Sequence, residues 1–141
     1  MWRREVSAIY SGVTLDEVWI AWSDVNNWHQ WDSEIEYCDS RQPFVAGSRF
    51  VLKPQQGPKV KIKLKTVDSH RSFTSCCYFI GAKMYHEHLL QQVEGGVKIT
   101  QVIRLTGPLA VLWVSLVADK LVNQLPQQTQ NLVNYVSSVY A

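Results

Sequence analysis

Long apolar runs are missing from this chain of 141 residues. The most apolar stretch, Leu109 to Ala118, is about half the length that a membrane-spanning helix needs. The first residues, MWRREVSAIYSG, alternate charged and apolar side chains and contain no core of signal-peptide length. Cysteine is scarce and odd in number. Cys38, Cys76 and Cys77, two of them adjacent, make no disulfide framework and are expected as reduced thiols. Charged residues are only 18% of the chain, and the net charge of +2 is too small to argue for a specific nucleic-acid partner. Histidine is limited to His29, His70, His86 and His88, and none follows His88. These absences describe a soluble protein, expected in the cytoplasm.

What is present is a globular composition, 46% hydrophobic, in a length typical of one domain, 1–141. A chain of this size buries roughly two-thirds of its unfolded surface and needs no staple. Residues 2–11 read as a first strand. Thr14 then opens a helix that ends near Ser23: Thr14 and Glu17 form a capping box, and Val13 with Val18 a hydrophobic staple. The segment SDVNNWHQWD reads as a second short helix capped by Ser23 or Asp24. From there the hydrophobic period is two, with strands expected at 33–39, 47–53, 59–67, 72–80, 83–93 and 97–106, parted by turn residues. After Gly107–Pro108 the alternation stops, and 109–140 reads as one long helix, interrupted or kinked at Pro126.

The inward face follows from requiring one parity in every hairpin. A Gly95–Gly96 turn sets His86, His88 and Leu90 opposite Leu105, Ile103 and Gln101, and Glu87 opposite Arg104 on the other face. A Gly81–Ala82 turn sets Phe79, Cys77, Ser75 and Phe73 opposite Met84, His86, His88 and Leu90. A four-residue loop at Asp68–Arg71 adds Val60, Ile62 and Leu64, and Phe50 and Leu52 join across the Pro54–Pro58 loop. A slip of one residue in any hairpin would turn a whole strand inside out. The resulting face is apolar with a polar minority: His86, His88, Gln101, Ser75 and Cys77. Polar groups without partners are costly to bury, so an internal cavity of at least about 300 Å³ under the long helix is expected.

The stretch MYHEHLLQQVEGG is the sharpest chemical signal. His86 and His88 are two apart and point the same way, as metal ligands do in some β-barrel enzymes. A zinc site wants three or four protein ligands, and beyond Cys77 no further one is in view, so no metal is expected. Cys77 opposite His86 could form an activated thiol, but no Asp or Asn shares the face to orient the imidazole. Trp19, Trp22, Trp28 and Trp31 are expected to pack the short helices into the mouth of the sheet. Lys59, Lys61, Lys63 and Lys65, with Arg49 and Lys53, make a basic stripe on the outer face. It could meet anionic membrane lipid or nucleic acid, but it has no aromatic residues interleaved among its lysines for base stacking, and solvated strand surface is its simplest reading. The first turns of the last helix are apolar on nearly every side. Core packing accounts for Leu112 and Leu116 but leaves Val111 or Trp113 over, for which a homodimer contact or a ligand portal would account.

With this order of elements, the segments VWIAWSDVNNWHQWDSEI, GSRF from Gly47, VDSHRSFT, EHLL and ITQVIRLTGPLAVLW resemble the START-like superfamily, in particular its polyketide cyclase/dehydrase branch. The resemblance runs from Val6 to the last helix. It implies an α+β helix-grip fold: a curved antiparallel sheet of about seven strands around a long C-terminal helix, with two short helices after the first strand and a hydrophobic cavity between. It also implies binding of a small hydrophobic or lipid-like molecule, or, in a minority of members, cyclisation or dehydration. Fold does not decide between these. The expected ligand site comprises His86, His88, Gln101, Ser75 and Cys77, with Phe73, Phe79, Met84, Ile103, Leu105, Leu112 and Leu116 for apolar contact, and no cofactor. In the enzymatic alternative His86 or His88 is the general acid or base. A third alternative is an interaction module with a vestigial cavity.

Overall fold

The structure, a computed structural model, describes residues 1–140. Thr14 caps the first helix from both directions. Its Oγ1 accepts from the Glu17 amide at 3.1 Å, and the Glu17 carboxylate accepts from the Thr14 amide at 2.8 Å. Strand β1 (Trp2–Tyr10) leads into this helix, α1 (Leu15–Ser23), and then into a 3₁₀ helix (Val25–Gln30). Asp24 stands at the N-terminus of the 3₁₀ helix, but its side chain makes no capping bond and accepts instead from the Asn27 amide group at 2.8 Å. Six strands follow: β2 (Ile35–Asp39), β3 (Arg49–Pro54), β4 (Val60–Asp68), β5 (Ser72–Phe79), β6 (Ala82–Val93) and β7 (Gly96–Thr106). The last helix, α2, comprises Ala110–Trp113, a π-helical stretch Val114–Ala118, and Asp119–Val139. The irregularity lies in that stretch. Pro126 is exposed, and helix continues through it.

All seven strands form one curved antiparallel sheet in the order β1-β7-β6-β5-β4-β3-β2, the helix-grip arrangement expected. The inward parity is also as expected, but two turns sit one residue earlier. β6 and β7 turn at Glu94–Gly95, so His88 pairs with Gln101 and His86 with Ile103. Gly96 is needed in the strand itself, because a Cβ there would lie 2.1 Å from the Tyr10 carbonyl oxygen of β1. β5 and β6 turn at Ile80–Gly81, which pairs Phe73 with His88, Ser75 with His86, and Cys77 with Met84. Each correction moves the partner by two places, so no side chain changes face. Glu87 therefore lies opposite Val102, and Arg104 opposite Tyr85. Glu87 and Arg104 still meet diagonally, with Nε 3.0 Å from the carboxylate but out of hydrogen-bonding alignment, so their attraction is Coulombic. Between β4 and β5 the turn is shorter than four residues, and a bulge between Leu64 and Thr66 restores the register to Leu64 opposite Ser75.

The interior divides into two apolar clusters. The larger joins Val18, Trp19, Trp22, Trp28, Phe50, Leu64 and Phe73 to Leu132 and Val136 of α2, so the tryptophans of the short helices are packed as expected. The smaller joins Ala82, Ile103 and Leu105 to Ala118 and Leu125, with Phe79, Met84 and Trp113 against it. Leu112 and Leu116 are corrections. They are 50% and 60% exposed and cover nothing in the core, whereas Trp113 turns inwards to stack on Phe79 at 4.6 Å between centroids. A helix apolar on every side leaves its inward face undetermined; here Ala118 and Leu125 supply it.

Candidate functional site

Between the two clusters the concave face is polar, and β5, β6 and β7 place the groups. Pairing sets Phe73 beside His88 and Gln101 in one row, and Ser75 beside His86 and Ile103 in the next. Because residues two apart on a strand share a face, the imidazoles of His86 and His88 lie over one another at 3.8 Å. The Phe73 ring continues the column at 4.0 Å from His88, and Trp22 meets His88 edge-on at 5.2 Å.

A hydrogen-bonded chain runs from this column to the helix. His86 Nε2 is 2.8 Å from Gln101 Oε1, the Gln101 amide group donates to Thr129 Oγ1 at 2.7 Å, and Thr129 donates to the Leu125 carbonyl at 2.8 Å. The direction of each bond follows from the last. The Thr129 proton goes to the carbonyl, so its oxygen accepts from the Gln101 amide, and the Gln101 oxygen must then accept from His86. Neutral His86 thus carries its proton on Nε2 and presents Nδ1 as an acceptor. Burial holds the imidazole down to about 4, against which the Gln101 bond works only in part. As a whole residue His86 is nevertheless only partly buried, as are Met84 and Phe79 in the rows towards Gly81. His88 is more enclosed. Burial, then the neighbouring His86, push its imidazole well below the usual range, and its Nδ1 is buried with no partner.

Of the expected site residues, Phe73, Ser75, His86, His88, Gln101 and Ile103 stand together, with Cys77, Met84, Phe79 and Leu105 in the rows towards Gly81. Leu112 and Leu116 are not brought to them. The thiol–imidazole pair is also corrected: Cys77 faces Met84, and burial pushes its thiol up to about 12, where it is a small apolar group. Among the described residues no group of three or more His, Cys, Asp or Glu converges. Thr129 escaped the sequence reading, although it is the one polar residue in the stripe Leu125, Thr129, Leu132, Val136 of α2. Asp32 escaped it too. This buried carboxylate accepts from Gln128 of α2 at 2.6 Å and from the Glu34 amide at 3.0 Å, and burial raises its pKa.

Two open concavities lie elsewhere. One, about 430 Å³, is an open groove between the 3₁₀ helix and the end of α2, lined by His29, Trp31, Asn131 and Tyr135 among others. The other, about 310 Å³, is on the outer face of the sheet around Glu5, Glu87 and Lys98. Neither is the enclosed sheet–helix cavity expected.

Solved structures with this arrangement are numerous and distant in sequence. Hypothetical protein jhp0584 from Helicobacter pylori superposes with a TM-score of 0.78 at 16% identity, over 96% of this chain and 88% of that one. Ara h 8.0201 gives 0.75 at 12% identity, over 97% and 98%. DynU16, described as a putative protein in the dynemicin biosynthetic locus, gives 0.69 at 18% identity, over 95% of this chain but 46% of its own. At these identities the likeness shows the fold alone. No family model and no curated protein matches the sequence.

Proposed function

We propose that the protein binds a small, mostly apolar molecule bearing a hydroxyl or similar hydrogen-bond donor, held on the concave face of the sheet beneath α2. One observation carries this reading. His86 is deep enough to stay neutral, its tautomer is set by the Gln101–Thr129 chain, and its Nδ1 is left as the acceptor, with Met84 and Phe79 in the neighbouring apolar cluster. An acceptor of fixed direction in an apolar setting is what orients a ligand through one donor. Met84, Phe79, Ile103 and Leu105 would supply apolar contact, and Ser75 a second polar group. The START-like resemblance, and within it the polyketide cyclase/dehydrase branch, accords with this reading, and the likeness in fold to DynU16 supports it.

Carriage or sensing is favoured over catalysis. An imidazole held down to about 4 is a weak base near neutrality and carries almost no proton to give. No carboxylate lies on the inner face of β5, β6 or β7 to raise it. Two measurements test the proposal. Native mass spectrometry of gently purified protein should reveal a co-purified small molecule. Titration with 2-naphthol, an apolar fluorophore with one hydroxyl, should saturate at one equivalent and weaken about tenfold in His86→Phe, the loss expected for one hydrogen bond. Equal binding by wild type and variant would remove His86 from any site.

A further inference from the structure

The end of the molecule that carries the Ile80–Gly81 turn exposes apolar side chains that no element covers. Val111 is 83% exposed and Ile80 81%, with Leu109, Leu112 and Leu116 also in solvent. The helix start and the turn are joined. The Leu109 amide donates to the Gly81 carbonyl at 2.9 Å, and the Trp113 indole donates to the Ile80 carbonyl at 2.8 Å. A Cβ on Gly81 would stand 2.7 Å from the Leu109 side chain, so the helix start is seated directly on the turn.

Cations outnumber carboxylates around this end, where Glu34 lies beside the loop after β3. Lys59, Lys61 and Lys63 lie along the start of β4, and Lys83 follows the turn on β6. No carboxylate occurs in residues 54–67, 69–86 or 105–118. Asp119, the first on α2, is followed by Lys120, and Glu36, on the far edge strand, is engaged by Lys53 at 3.2 Å. Asp16 and Glu17 at a helix start, Asp68 at the end of β4 and Glu94 in a turn lie at the opposite end of the strands. Aromatic rings absent from the lysine strand come from its neighbours. Lys83 Nζ sits 5.0 Å from the Tyr78 ring and 5.7 Å from Tyr85, and Arg104 packs over Tyr85 at 4.6 Å.

We propose that this end docks on an anionic lipid surface, with Ile80, Val111, Leu112 and Leu116 entering the acyl boundary and Lys61, Lys63 and Lys83 meeting the headgroups. Apolar insertion and attraction of cations to anionic lipid add in such a contact, and tyrosines suit the interfacial level between them. No helix among the described residues is long and apolar enough to cross a membrane, so the attachment is peripheral. A second copy fits the surface less well. A two-fold contact through the apolar residues would bring together the lysine rims of both copies, where cations outnumber carboxylates. The inference stands apart from ligand binding under α2, since none of its residues belongs to that site.

Co-sedimentation with vesicles of phosphatidylcholine containing about 30 mol% phosphatidylserine tests it, against vesicles of phosphatidylcholine alone. The wild type should bind the anionic vesicles at least about tenfold more tightly and lose binding as salt rises. The double variant Lys61→Gln/Lys83→Gln should lose about tenfold on anionic vesicles. Ile80→Glu/Val111→Glu should abolish binding on both kinds, with an unchanged thermal melt because both positions are exposed. Absence of wild-type binding, or variants that bind like wild type, would overturn the proposal. So would a wild-type dimer in sedimentation velocity that Ile80→Glu/Val111→Glu dissolves, since the surface would then join two copies of the chain.

Discussion

Lowering the pH should strip stability from this protein in a window set by its stacked histidines. An unfolded histidine titrates near 6.5, whereas burial holds His86 down to about 4 in the fold. Between those values the unfolded chain takes up a proton that the folded protein refuses. Stability from this residue is therefore complete above about pH 6.5 and lost progressively as pH falls towards 4, below which both states are protonated. Linkage over that shift gives a loss of about 2 kcal/mol between pH 7 and 4.5 for His86 alone. His88 adds in the same direction, because burial and the adjacent ring both oppose its charge. Asp32 opposes it. Burial favours its protonated form, a contribution present at low pH and lost as pH rises through its raised pKa. Urea denaturation followed by tryptophan fluorescence at several pH values would measure the sum, and His86→Gln isolates the histidine part. The variant should lose about 2 kcal/mol less than wild type over the same range. Parallel curves for the two proteins would show that His86 is not held neutral by burial, and the acceptor argued for Nδ1 would fall with it.

Two further outcomes follow from the same packing. Thr129→Val should cost about 1–3 kcal/mol in urea denaturation, because it leaves the buried Gln101 amide group without an acceptor; it should also weaken 2-naphthol binding by releasing the His86 tautomer. Cys38, Cys76 and Cys77 are all free and buried, with burial pushing Cys38 and Cys77 up to about 12, so a disulfide-exchange reagent should label native protein far more slowly than protein in urea.

The sequence carried the face of nearly every strand and mislaid the partner of some. His86 and His88 point inwards because Leu90 and Phe73 do, and a period of two leaves no freedom once one face is apolar. Turn position is decided by closer details. Gly95–Gly96 and Gly81–Ala82 are both good turn dipeptides in isolation. Gly96 is kept in the strand by the close approach of Tyr10 of β1, a contact between segments far apart in the chain. Moving a two-residue turn by one place moves every partner by two, which is why His86 gained Ser75 and lost Cys77 without changing sides.

The same distinction explains what the helix concealed. A strand buried on one face declares that face by alternation, but the first turns of α2 are apolar all round, and nothing in such a segment says which side meets the sheet. Core packing of Leu112 and Leu116 fits such a segment as well as any other choice; Trp113 takes the position because its indole can donate to the Ile80 carbonyl while its ring stacks on Phe79. Farther along α2 the pattern is legible again, and Thr129 interrupts an apolar stripe where a polar residue is costly unless partnered. Gln101 interrupts the inner face of β7 in the same way. Each is an anomaly alone. Together they satisfy one another at 2.7 Å, and the pairing gives His86 its direction. Unmatched polar residues on two faces destined to meet are therefore best read as a pair, and the group left over at the end of their chain, here His86 Nδ1, is where the proposed ligand would be held.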